Sequence, residues 1–205
     1  MFAVLSRAAR LQALVIAGLA AVSLVAQWVY LMELRGTGPL ETVLEMTRFF
    51  TILTTVLVVI AFLTVALSKL RGLSAVTLAA LTLSVVLTGA VYHTLLGEFW
   101  NPTGIGIAAD WGLQTIVPLA VFLWWLVQAP KTALVWADLP AFALWPSVYM
   151  AYALGLATLD GVYPYPFMDP VETGVWQVAA TLGILGVLVL LGGVVMIGIG
   201  RFADR

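Results

Sequence analysis

The chain has 205 residues, of which 63% are hydrophobic and only 9% charged, with a net charge of −1. Globular domains carry about 25% charged residues, so this composition points to a polytopic membrane bundle and gives nucleic acid no electrostatic footing. The absence of cysteine excludes disulfides, iron–sulfur clusters and thiolate zinc sites, and a single histidine excludes a bis-histidine haem within one chain; no metal or cofactor is expected.

Six apolar stretches follow in order, at 11–32, 46–68, 73–96, 110–128, 138–159 and 174–200. Each is close to the ~20 residues that a helix needs to cross a hydrocarbon core. The expected fold is therefore all-α: one domain over 1–205 with six transmembrane helices in one bundle. The first stretch is too long for a secretory signal and ends at Gln27-Trp28-Val29-Tyr30 without a small-residue cleavage site. It is expected to be a retained helix anchored at the interface by Trp28 and Tyr30.

The second stretch opens with Arg48 and Thr51 one turn apart, and the short turn 69–72 leads into the third. The third carries Tyr92 and His93 about one turn before its exit, followed by the connection 97–104, which contains Asn101. The fourth begins with Asp110, Gln114 and Thr115; Asp110 and Gln114, four apart, share one helical face. Pro118 and Pro146 lie inside the fourth and fifth stretches, where a proline removes a backbone donor and opens room between helices. The fifth also brings Tyr149 and Tyr152, and the connection after it holds Tyr165. In the sixth, Ala179, Gly183, Gly186, Leu190, Gly193, Ile197 and Gly200 form a small-residue stripe. Two readings of it stay open, a seam inside the bundle or a homodimer face.

Charge orients the chain. Arg7, Arg10, Lys69, Arg71, Lys131, Arg201 and Arg205 fall on one side, and only Arg35 and Arg48 on the other. The second side collects Glu33, Glu41, Glu45, Glu98, Asp110, Asp160, Asp169 and Glu172. Seven basic residues against two is a positive-inside pattern, so both termini are expected in the cytoplasm of a bacterial inner-membrane protein.

Polar side chains within spans are costly and face the bundle interior. The topology brings Thr51, His93 and the Asp110/Gln114 pair, from three helices, to a similar depth in the outer half. Taken singly each has a structural reading: a threonine bonding its own helix, an interfacial histidine, a helix-capping aspartate, an interhelical glutamine, and an arginine that snorkels or pairs with Glu45. Together they offer a hydroxyl nucleophile in Thr51, a base with near-neutral pKa in His93, and oxyanion donors in Gln114, Asn101 or a tyrosine. Walled by Leu, Val and Phe, such a pocket suits a long-chain fatty-acyl ester.

Three segments resemble the androgen-induced-gene family of six-helix membrane hydrolases, which act on branched fatty acid esters of hydroxy fatty acids. Arg48-Phe49-Phe50-Thr51 is similar to the start of that family's second helix, and Gln114-Thr115-Ile116-Val117-Pro118 to its His-Thr-x-x-Pro segment. Tyr165-Pro166-Phe167-Met168-Asp169 resembles its Tyr-Pro-Phe-Leu-acid segment, preceded here by Trp145 and Tyr149. The resemblance spans roughly residues 45–170. It implies a threonine nucleophile at Thr51 and an essential histidine at the position of Gln114. Glutamine is no base at neutral pH, so two expectations remain. Either His93 has taken the base role in a lipid-ester hydrolase supported by Asp110, Arg48 and the tyrosines, or the chain is a non-catalytic lipid-binding or structural relative.

Overall fold

A computed structural model describes residues 5–68, 73–131 and 134–202. Among them there is no strand, and six helical segments are long and apolar enough to cross a membrane, as an integral membrane protein requires. In chain order they are α1 (Arg7–Arg35), α3 (Phe50–Ser68), α4 (Ala75–Val91), the composite α5–α6 (Ile105–Trp111 and Val117–Gln128), α7 (Leu139–Asp160) and α9 (Val175–Phe202). Two short helices lie in the connections, α2 (Pro39–Met46) and α8 (Pro170–Thr173).

Hydrogen bonds fix which helix ends meet. At one end the Arg10 guanidinium donates to the Ala66 carbonyl at 2.8 Å, and the Trp124 indole donates to the Ala9 carbonyl at 3.0 Å. Arg201 lies over the Trp136 ring at that same end, 5.6 Å from its centroid. Lys69, Arg71 and Arg205, which belong to the same basic group in the sequence, lie outside the described residues. At the opposite end Arg48 forms an ion pair with Asp160, and the Trp28 indole donates to the Pro39 carbonyl at 3.1 Å.

The main core sits toward the first end. Ala9, Ala13, Ala17 and Ala20 of α1 are all almost wholly buried, and α1 packs most extensively against α3. Small side chains let two backbones approach closely, which is the principal way to gain contact in lipid. Phe62 and Trp124 fill the adjoining space edge to face, with ring centroids 5.1 Å apart. The stripe on α9 divides: Gly193, Ile197 and Gly200 are buried in the bundle, while Ala179, Gly183, Gly186 and Leu190 are exposed. A Cβ at Gly193 would lie 2.9 Å from Leu139, so the bundle seam is real in that half of the helix.

Three expectations need correction. The second apolar stretch does not begin its helix at 46: α2 ends at Met46, the chain turns, and α3 starts at Phe50. Arg48 therefore sits in the turn and reaches Asp160, while Glu45 pairs with Arg35 instead. Asp110 is not a helix cap, because the helix begins at Ile105, with Gly104 at φ 55 in the cap position. The apolar count hid that start, since Gly104 and Gly106 carry no hydrophobic signal although Gly106 is buried against the Tyr30 ring.

Candidate functional site

The end that carries the long connections is not close-packed. A cavity of about 250 Å³ opens there, and Thr51, Tyr92, Asp110, Gln114 and Tyr165 contribute its polar wall. A second, smaller cavity of about 100 Å³ adjoins it and is lined mainly by Leu87, Val91, Pro146, Met150, Leu185 and similar apolar side chains. Thr51, Leu96 and Tyr165 line both, so Thr51 stands where the polar chamber meets the apolar one.

Thr51 owes its position to a helix start capped from elsewhere in the chain. The first N–H groups of a helix have no partner within it. The Phe50 N–H donates instead to the Tyr165 hydroxyl at 3.0 Å, and the Tyr149 hydroxyl donates to the Arg48 carbonyl at 2.8 Å. The Tyr165 hydroxyl also interacts with the Thr51 side chain, and burial pushes it up, which keeps it protonated. Phe50 packs on Tyr149 at 4.9 Å between centroids, and Tyr165 stacks on Phe167 at 5.2 Å. Behind them the Trp145 indole donates to Thr54 at 2.9 Å and ties α7 to α3. The aromatic run 163–167 is thus the cap and clamp of α3. Hydrogen bonding to Asp160 pushes the Arg48 guanidinium further up, so this closing pair stays charged on the arginine side.

Two π-helical turns shape the opposite wall. Tyr92–Leu96 continues α4, and Gly112–Ile116 joins α5 to α6. Such turns occur as bulges inside α-helices, frequently at functional sites. The second has a clear cause. Pro118 has no N–H to give to the Gln114 carbonyl four residues back, and the Val117 N–H bonds to Gly112 instead. That carbonyl presses against α4 at Gly89, where an added Cβ would lie only 2.6 Å from it. The turns aim Tyr92, Leu96, Leu113 and Gln114 into the cavity, and the Tyr92 hydroxyl pairs with the Asp110 carboxylate.

His93 goes the other way. It is exposed and absent from the cavity lining; its Nε2 pairs with the Thr115 hydroxyl at 3.0 Å, which fastens one π-turn to the other. Depth alone placed it beside Thr51, but it is the adjacent Tyr92, about 100° away around the helix, that faces the cavity. Asn101 is exposed in its connection, whereas its neighbour Trp100 lines the cavity. Tyr152 is exposed and meets Thr47 at 3.3 Å. Pro146 lines the second chamber, in keeping with the room that an intrahelical proline opens.

Gln27 and Arg35 of α1 also line the polar chamber and escaped sequence reading. Gln27 had a signal, as a lone amide in an apolar stretch; Arg35 had none, because its place at the mouth depends on how α1 continues beyond the span. Among the described residues no cluster of three metal-ligating side chains occurs. No family model, no curated protein and no solved structure matches the chain.

Proposed function

We propose that this is a membrane protein that holds a single-chain fatty-acyl ester in the two-chamber cavity, with the tail in the apolar chamber and the ester group at Thr51. The observation that carries the proposal is convergence. The three segments that resemble the androgen-induced-gene family, far apart in the chain, all contribute to one cavity through Phe49 and Thr51, Gln114, and Tyr165 and Pro166. In the orientation given by the basic residues, the termini are cytoplasmic and the cavity lies in the outer half of a bacterial inner membrane. The binding reading predicts acyl lipid in the purified protein, detectable by mass spectrometry after extraction. Protein free of acyl lipid that also fails to take up a fluorescent acyl ester would sink it.

A second reading, cleavage of that ester, is favoured by the place of Thr51, a hydroxyl residue, in the lining of both chambers. Thr51 Oγ1 would attack the ester carbonyl carbon, and the bond to the alcohol oxygen would break. The threonine proton would pass by way of the Asp110 carboxylate to the departing alkoxide, with the Gln114 amide donating to the oxyanion. Water would then hydrolyse the acyl-threonine, releasing the fatty acid and restoring the hydroxyl. His93 has no part in this path, since it faces Thr115. Fluorophosphonate labelling of purified protein tests it: label on wild type that disappears in Thr51→Ala supports cleavage. Unlabelled wild type that still carries acyl lipid leaves binding as the function.

A further inference from the structure

The polar chamber holds an unspent recognition group. The Gln114 side-chain amide makes no hydrogen bond with the described residues, and its Oε1 is buried. A primary amide carries both acceptor and donors, and a buried polar atom without a partner costs free energy that a ligand can recover. The group best matched to an amide is one that also donates and accepts, a hydroxyl. The charge pattern narrows the choice. The formally charged residues lining the chamber are Arg35 and Asp110. Arg35 is already engaged by Glu45, so no uncommitted cation lines the chamber among the described residues. Asp110 pairs with a neutral hydroxyl, that of Tyr92, and offers nothing to an anion.

We infer that the chamber recognises an uncharged, hydroxyl-bearing head, the glycerol of a monoacylglycerol being the type, through the unpartnered Gln114 amide and the Asp110 carboxylate. With the ester at Thr51, the free hydroxyls of a glycerol head extend into the same chamber as Gln114. Fatty acid carboxylates and lysophospholipid phosphates, which need a free cation, are discriminated against. This inference rests on the acyl-ester reading above and refines it.

The test is competition on the purified full chain in nanodiscs, with a fluorescent methyl ester of a labelled fatty acid as probe. Monopalmitoylglycerol is expected to displace the probe at about tenfold lower concentration than methyl palmitate, palmitate or palmitoyl lysophosphatidate. Gln114→Met, similar in volume but without the amide, should bring monopalmitoylglycerol to within about threefold of methyl palmitate, each measured against the variant's own affinity for the probe. Equal displacement by all four lipids, preference for an anionic one, or selectivity unchanged in Gln114→Met overturns the inference but not acyl binding. A probe that does not bind the wild type at all overturns the acyl-ester reading itself.

Discussion

Between Ala9 and Trp124 the bundle is filled by alanines meeting at close range and by interlocked rings, whereas between Thr51 and Gln114 it is held apart by two π-turns and a proline. Both regions are built from the same helices. The close-packed end gains contact in the way that stabilises bundles in lipid. The open end keeps cavity space and an unsatisfied amide, features that lower stability and make sense where a ligand enters. On the proposed reading, stability and recognition are separated along the helix axes, and substitutions at the two ends should have different consequences.

The largest effect is expected at the packed end. Phe62→Ala removes a ring that is 1% exposed and leaves a void against Trp124. A loss of about 3 kcal/mol is expected in reversible denaturant unfolding, with acyl binding by the remaining folded protein little changed. A loss of binding greater than the loss of folded protein would show that the two ends are coupled.

Gly89→Ala strikes the boundary between them. The new methyl meets backbone, the Gln114 carbonyl, which cannot swing aside as a side-chain tip would. A cost of about 1–3 kcal/mol is expected, together with a smaller preference for monopalmitoylglycerol over methyl palmitate as the π-turn carrying Gln114 shifts. An unaltered preference would detach Gln114 from the site.

At the open end, Arg48→Ala and Asp160→Ala should each change stability little. A double-mutant cycle is expected to give little coupling, because the pair is solvent-screened. Its effect should be on probe dissociation, which is expected to quicken as the 161–169 connection loosens over Tyr165. Dissociation unchanged in both variants would remove this connection from the closure of the cavity.

The smallest effect concerns Lys131, which donates to the Trp125 carbonyl at 3.2 Å and the Ala129 carbonyl at 3.1 Å. Burial pushes its ammonium down. The unfolded chain then binds the proton where the folded one has lost it, so stability should rise with pH between the lowered value and about 10.4. Thermal unfolding between pH 8 and pH 10 checks this, since the rise should be absent in Lys131→Gln.

The six spanning helices, their order and their apolar character were legible because a run of about 20 apolar residues has one stable solution in lipid. The gathering of Thr51, Asp110, Gln114 and the tyrosines at one end was legible too, because topology and a rise of 1.5 Å per residue set depth. Rotation about each helix axis was not. Adjacent residues on a helix point about 100° apart, and it is Tyr92, not His93, that lines the cavity. The break at 47–49 was likewise invisible to an apolar count, although it decides that Arg48 meets Asp160 and that Tyr165 caps Phe50.

By itself the sequence determined the six apolar spanning helices, which residues share a depth and which end carries the polar groups, since these depend on local hydropathy and chain connectivity. Only the tertiary structure decided which side chains face one another, because that depends on rotations and backbone bulges set by contacts between distant segments: Gly89 against the Gln114 carbonyl, and Tyr165 against the Phe50 N–H.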